Sequence, residues 1–124
     1  DYMIEANLSQ DGGEEAMTLL FKLDNPPTAV LCVNDLTAVG ALRACLNHNI
    51  SLPDEMSLIG FDDIPLAQLT TPKLTTVAQP AYELGAKAAE LLLRRTQDKE
   101  LSPQQVTLQS KLIIRDSTAA PKKK

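Results

Sequence analysis

The apolar run Thr28–Val33 is the feature that most constrains the fold of this sequence. The run is rich in β-branched residues and carries no charge, which is typical of a strand covered on both faces in a parallel sheet. It stops abruptly at Asn34 and Asp35, either of which can cap a following helix. Apolar residues then recur at helical spacing, at Leu36, Val39, Leu42 and Leu46. We therefore expect a strand that passes directly into a helix.

The segment after this helix predicts a second strand. Asn47–Asn49 closes the helix, Leu52 and Pro53 mark a turn, and Met56–Gly60 is again apolar. A strand, a helix and a strand in succession form a βαβ unit, whose crossover is almost always right-handed. The sequence therefore predicts an α/β fold with a parallel sheet and flanking helices.

The same patterns predict further elements on either side of the βαβ unit. They are a short strand at Tyr2–Ile4, a helix over Gly13–Leu23, a strand at Leu74–Val77, a helix beginning at Pro80, and a hairpin or paired edge strands at Val106–Leu108 and Leu112–Arg115. The polar stretch Thr96–Gln105 is expected to be a loop. Residues 117–124 are expected to be a tail with solvated lysines at its end.

Charge and composition narrow the classes of function. The net charge is −4 and the pI is about 4.9, so any contact with DNA is expected elsewhere, because phosphate binding needs clustered Lys and Arg. No window resembles a membrane span or a secretion signal, which predicts a soluble protein, and the free thiols fit a reducing cytosol. Cys32 and Cys45 lie in apolar runs and are expected to be buried thiols. Because Asp1 is not an initiator methionine, an upstream portion is expected to be missing.

Polar residues follow both strands of the βαβ unit. Asn34 and Asp35 follow the first strand, and Phe61, Asp62 and Asp63 follow the second. The carboxyl ends of parallel strands meet at one edge of the sheet, where ligands of such folds bind. Carboxylate and amide groups at this edge suit the hydroxyl groups of a polyhydroxylated ligand, and a phenyl ring suits a sugar or base face.

A structural role is open for each of these residues. Asn and Asp are common at strand-to-helix turns simply as caps and turn formers, and Asp35 and Asp63 fit that use well. Asn34 and Asp62 are equally credible as caps and as ligand contacts. Phe61 taken alone fits the core.

Four segments together resemble the LacI/GalR family of bacterial transcription regulators. They are Pro27–Asp35, Ala38–Leu42, Ile50–Asp63 and Pro72–Pro80. The signature is Gly-Phe-Asp-Asp followed by Pro-Lys-Leu-Thr-Thr-Val-Ala-Gln-Pro, and the order and spacing match the family without gaps. The resemblance covers nearly the whole chain.

The resemblance implies a periplasmic-binding-protein-like (type I) domain of two α/β lobes, of which residues 1–116 are a part. Residues 1–72 would belong mostly to the C-terminal lobe, residues from about 75 to 105 would cross to the N-terminal lobe, and residues 106–116 would return as strands. An effector would lie in the cleft between the lobes. The DNA-binding helix-turn-helix would lie upstream of this chain.

The resemblance also implies ligand-binding residues. Asn34 and Asp62 would bond effector hydroxyls, Phe61 would pack beside them, and Gln79 would contribute from a lobe crossing. The family uses an arginine in an upstream Ser-x-x-x-Arg-x-x-Gly segment that this sequence lacks, so the pocket would be incomplete. No catalytic residue, metal or cofactor is implied.

Family dimers pair partly through the helix after Asn-Asp and the loop after Gly-Phe-Asp-Asp. The resemblance therefore implies dimer-interface positions at Val39, Arg43, Leu66, Leu69 and Thr70. Leu66 and Leu69 equally fit an ordinary core, and Arg43 equally fits a solvated surface.

The function implied is effector sensing for a homodimeric regulator, usually a repressor, that binds operator DNA. The effector would be a sugar, a sugar phosphate or a nucleoside. The alternative is a periplasmic sugar-binding protein of an ABC transporter, which shares the fold, although the segment Leu74–Pro80 is typical of the regulators. An enzyme that holds magnesium with Asp35, Asp62 and Asp63 is disfavoured, because the remaining residues of a phosphoacceptor site are not recognisable.

Overall fold

The computed structural model of the chain describes residues 2–121, which divide into two compact units. The first unit contains the described residues up to Ala78 and those from Leu112 onwards. The second unit is Gln79–Lys111. The βαβ segment lies entirely in the first unit.

Helices and strands alternate along the chain. The helices are α1 (Gln10–Phe21), α2 (Asp35–Asn47) and α3 (Ala81–Gln97), and the strands are β1 (Ala29–Leu31), β2 (Ser57–Asp62), β3 (Thr75–Ala78) and β4 (Lys111–Ile113). A short 3-10 helix, Pro65–Gln68, follows β2. The strands form one sheet in the order β1-β2-β3-β4, in which β1, β2 and β3 are parallel. The predicted α/β fold with a parallel sheet is confirmed.

A side-chain cap begins α1, and close packing holds α1 against α2. The Ser9 side chain accepts a hydrogen bond from the Gly12 amide, which satisfies one of the unpaired donors at the start of α1. Gly40 lies where the two helices approach most closely, because a Cβ added there would meet the backbone carbonyl of Gln10. Across the same contact, the Arg43 guanidinium of α2 pairs with Asp11 and Glu14 of α1.

The core of the first unit lies between these helices and the sheet. Its buried members include Met17, Leu58 and Leu74, together with Cys32 and Cys45 as free thiols. Burial raises the pKa of the Cys32 thiol to about 12 and that of Cys45 to about 11. Both side chains therefore behave as small apolar residues, as expected from the sequence.

A buried carboxylate joins three elements of the first unit. Asp35, at the start of α2, is fully buried. Its carboxylate accepts hydrogen bonds from the Thr76 hydroxyl of β3 at 2.6 Å and from the Ile64 amide after β2 at 2.9 Å. Gly60 of β2 faces the same carboxylate, and a Cβ at that position would collide with Asp35 Oδ1. The close approach of strand and carboxylate therefore requires glycine at position 60.

The C-terminal segment is built into the sheet. Ser117 is fully buried, and its hydroxyl donates to the Leu58 carbonyl at 2.6 Å and accepts from the Thr75 amide at 2.8 Å. The Leu58 amide in turn donates to the Ser117 carbonyl at 2.8 Å. The sequence analysis places Ser117 at the start of a tail, but its short polar side chain instead links Leu58 of β2 to Thr75, the first residue of β3. Lys122–Lys124 lie outside the described residues.

Several predicted elements differ from the structure. Tyr2–Ile4 and Val106–Leu108 form no strand, so the predicted hairpin is wrong. The expectation that β1 is covered on both faces is also wrong, because Leu31 is 71% exposed and Val33 is 61% exposed. The reason is that β1 is the outermost strand of the sheet and borders an open groove of about 690 Å³. Within the second unit, α3 carries the predicted apolar stripe but buries none of its residues.

Replacing Gly60 by alanine is expected to destabilise the first unit by about 1–3 kcal/mol, the range for inserting a methyl group into a packed site. The added Cβ would displace the Asp35 carboxylate from its partners. Gly85→Ala is the matched control, because a Cβ there meets nothing within 4 Å and alanine favours a helix interior by roughly 0.5–1 kcal/mol. Urea unfolding measures both, and equal stability of Gly60→Ala and wild type would contradict the packing described.

The two thiols are expected to resist modification in the folded protein. At a pH of about 8 the raised pKa values keep the thiolate fraction of each below about 1%, and burial adds a steric barrier. An aromatic disulfide reagent should therefore label neither Cys32 nor Cys45 before unfolding and both after it, with labelling accelerating as the pH rises towards 11. Native labelling as fast as that of free glutathione would show that the burial is wrong.

Candidate functional site

The candidate site is the edge of the sheet at which β1 and β2 end, here called the strand-end rim and defined as Asn34 with residues 61–63. Leu31 pairs with Ile59 in the parallel register, and the hydrogen bond from the Cys32 amide to the Ile59 carbonyl, at 2.8 Å, extends that pairing. β1 ends at Leu31, opposite Ile59, and β2 continues in the same direction to Asp62. Asn34 and Asp62, predicted from the sequence to converge, therefore belong to the same end of adjacent strands.

Asn34 is the side-chain cap of α2. Its Oδ1 accepts a hydrogen bond from the Thr37 amide at 2.8 Å. The residue is half-buried, and among the residues described its side-chain nitrogen has no hydrogen-bond partner. The sequence left open whether Asn34 or Asp35 caps the helix, and the structure assigns the cap to Asn34. The capping bond uses the amide oxygen and leaves the amide nitrogen as a donor.

The chain turns sharply where β2 ends. Asp62 has φ 112° and Asp63 has φ 57°, both in the left-handed region that favours glycine. Asp is among the few other residues that enter this region readily, and such backbone costs on the order of 1–3 kcal/mol unless the surroundings hold it. Asp62 and Phe61 are half-buried, and Phe61 is aligned with Val77 of β3. The left-handed turn thus begins at an acidic residue that directly follows an aromatic one in the chain.

Asp35 and Asp63 are engaged by the chain itself. The Asp35 carboxylate is occupied by Thr76 and Ile64. The Asp63 carboxylate pairs with the Arg115 guanidinium at 2.5 Å, and the Asp63 amide donates weakly to the Thr76 hydroxyl at 3.4 Å. Asp63 is a turn residue, as the sequence analysis expects, whereas Asp35 is not the cap of α2 but a buried link from α2 to β3 and to the chain after β2.

Arg115 is a residue of this region that sequence reasoning missed. It was assigned to an edge strand, although only 13% of its side chain is exposed. The available signal is an arginine directly after the apolar run Leu112–Ile114, because a charge placed next to a core segment needs a partner.

Gln79 and the predicted interface residues differ in their exposure. Gln79 is exposed and is the first residue of the second unit, one position after the Ala78 that pairs with Asp62. Leu69 is 77% exposed, and Val39 and Leu66 are half-buried.

The two polar interface candidates have partners within the chain. The Thr70 hydroxyl bonds to the Ala67 and Pro72 carbonyls. Arg43 is exposed, and it forms the ion pairs with Asp11 and Glu14 of α1 described above. Neither residue needs a second subunit to satisfy its polar groups.

Within residues 2–121 there is no group of three or more His, Cys, Asp or Glu side chains placed to hold a metal ion. No helix in that part of the chain has the length and apolar character needed to cross a bilayer.

Comparisons with known proteins agree on one family. Residues 2–118 match the model of the periplasmic binding protein-like domain. The chain is 40% identical over 119 residues to the HTH-type transcriptional repressor CytR of Escherichia coli (strain K12), covering 96% of this chain and 35% of that protein. The chain thus spans about a third of the length of the curated relatives it matches.

Solved structures of LacI family transcriptional regulators are similar too. One from Enterococcus faecium, with bound ribose, has a TM-score of 0.82 and 37% identity, and covers 92% of this chain and 42% of its own. Another from Enterococcus faecalis V583, also with bound ribose, has a TM-score of 0.86 and 35% identity, with coverages of 94% and 43%. The chain belongs to the LacI/GalR family and carries part of its periplasmic binding protein-like domain.

Proposed function

We propose that this chain is the effector-sensing and dimerisation part of a LacI-type DNA-binding transcription regulator. The relatives that match nearly all of it are named as transcriptional repressors. That similarity favours a regulator over the transporter-linked sugar-binding protein that shares the fold. Operator DNA would be bound by a helix-turn-helix outside this chain, in keeping with its net charge of −4. We infer a cytoplasmic location, where the DNA is.

The observation that carries the proposal is the placement of Asn34 and Asp62 at the ends of adjacent parallel strands. An amide nitrogen that donates and a carboxylate that accepts suit vicinal hydroxyl groups. A half-buried phenyl ring at position 61 offers a face for a sugar ring or base to pack on.

The ligand class follows from this chemistry and from the relatives. Two similar regulators hold ribose, and the rim carries donors and acceptors for hydroxyl groups. We propose a pentose-containing effector, either a free sugar, a sugar phosphate or a nucleoside. Gln79 and residues of the other lobe would complete the contacts, and residues from about 75 to 105 would form the crossing between lobes.

The proposed mechanism is a shift between two closure states. An effector that contacts both lobes stabilises one closure angle, and the angle sets the spacing of two DNA-binding domains in a homodimer. A ligand can move this equilibrium only as far as its affinities for the two states differ. The residues that contact the effector therefore decide the response, while residues that contact DNA decide basal affinity.

Asp62→Asn in the full-length protein is expected to weaken D-ribose or nucleoside binding at least about tenfold, because a neutral amide replaces an ionised acceptor of hydroxyl hydrogen bonds. Asparagine tolerates the positive φ of this position, so the fold should persist. Calorimetric titration with a panel of pentoses and nucleosides measures the effect.

Asp24→Asn, an exposed acid between α1 and β1, is the control and should bind as wild type does. Operator affinity without ligand, measured by gel shift, should be equal in all three proteins. Unaltered binding by Asp62→Asn would remove Asp62 from the effector site.

We further propose that the exposed leucine at position 69 lies in the dimer interface with Val39, Arg43, Leu66 and Thr70. Leu69→Asp should then weaken dimerisation at least about tenfold, because it places a charge where apolar surface is to be buried. Sedimentation equilibrium measures the dissociation constant. Ala120→Asp, a charge added at another exposed position, should leave the constant unaltered, and an equal effect of the two variants would contradict the assignment.

A further inference from the structure

The ion pair between Arg115 and Asp63 joins the strand-end rim to the segment that follows β4. Arg115 Nη2 and Asp63 Oδ1 are 2.5 Å apart, and the two side chains are only 13% and 22% exposed. The other ion pairs among the described residues involve side chains at least 28% exposed. A pair that is so little exposed is screened much less by salt than one on the surface.

Arg115 is itself held at a fixed place. Its Nη1 donates to the Leu74 carbonyl at 2.8 Å, and its backbone amide donates to the Thr75 hydroxyl at 2.9 Å. The guanidinium is therefore fixed beside the start of β3 before it reaches Asp63. Of the two terminal nitrogens of the planar guanidinium, Nη1 donates to the backbone just before β3 and Nη2 donates to the Asp63 carboxylate.

Asp63 is the second residue of the strained turn that ends β2. It has φ 57° and follows Asp62 at φ 112°. Its carboxylate is bonded to Arg115, whereas its amide makes only a long hydrogen bond of 3.4 Å to Thr76. A residue in this backbone region persists only when its surroundings hold it there. The ion pair is the shorter of these two contacts of Asp63.

We propose that Arg115 is a positioning residue of the effector site, which holds the left-handed turn through Asp63 and thereby fixes the placement of Asp62. The inference rests on the proposed function only in assigning Asp62 to the effector. Arg115 itself touches no effector in this scheme. Arg115 acts on Asp62 through its ion pair with Asp63 and through the peptide bond between Asp62 and Asp63.

The test compares Arg115→Met and Arg115→Lys with wild type in the full-length protein. Amide hydrogen exchange of residues 60–64 reports on the turn without any ligand, and titration with D-ribose reports on the site. Arg115→Met should accelerate exchange of the Asp63 and Ile64 amides about tenfold, as expected for easier local opening, and should weaken D-ribose binding to a similar degree. Arg115→Lys keeps the charge and should restore part of both.

Asp63→Asn breaks the same pair from the other side and keeps the test usable if Arg115→Met does not fold. It should reproduce both effects, and the double variant should add little to either single change, because both remove one interaction. Arg94→Met is the control, since Arg94 pairs with Glu90 on α3 in the second unit. It should leave exchange at residues 60–64 unaltered.

Two outcomes separate this inference from the proposed function. If wild type fails to bind D-ribose while Arg115→Met accelerates exchange in the turn, the ligand class is wrong and the positioning role stands. If Arg115→Met and Asp63→Asn lower the melting temperature but leave exchange at residues 60–64 and D-ribose affinity as in wild type, Arg115 has a general structural role and the inference is overturned.

Discussion

The buried carboxylate of Asp35 is the interaction on which the first unit depends. It belongs to the first turn of α2, yet it accepts hydrogen bonds from β3 and from the chain leaving β2. A charged group without water must have such donors, because an unpaired buried charge is strongly destabilising. Position 60 must be glycine because any side chain there would collide with the Asp35 carboxylate. The order of helix, strands and turn around the strand-end rim therefore follows from one side chain.

Much of the fold could be predicted from the sequence because it is encoded locally. The apolar run before Asn34, the helical spacing after it and the second run at residues 56–60 gave β1, α2 and β2 within a few residues. The failures concern contacts between distant parts of the chain. Ser117 bonds to Thr75 and Leu58, which lie 42 and 59 positions away along the chain. No local sequence pattern reveals such partners. The exposure of Leu31 likewise depends on which strand lies beside β1, which periodicity does not specify.

For the candidate site too, local sequence predicts some features and contacts between distant residues decide the others. That Asn34 and Asp62 lie at neighbouring strand ends follows from sequence pattern and from the rule for parallel sheets. The partners of these residues depend on geometry: Asn34 caps the helix, the Asp35 carboxylate bonds to Thr76 and Ile64, and Asp63 pairs with Arg115. The positive φ angles of Asp62 and Asp63 had no local signal beyond the residue type. Arg115 could be recognised only once the C-terminal segment was seen beside β3.

The exposed edge of β1 has a practical consequence for work with this segment alone. Among the described strands β1 is outermost, and exposed Leu31 and Val33 lie at it beside the apolar groove. Such an edge is a template for pairing with another chain. Native proteins protect such edges with lysine, proline or a bulge, and Ala29–Leu31 contains none of these. Residues 1–124 expressed in isolation should therefore tend to self-associate through strand addition. Sample behaviour, rather than ligand choice, would then limit any study of the isolated segment.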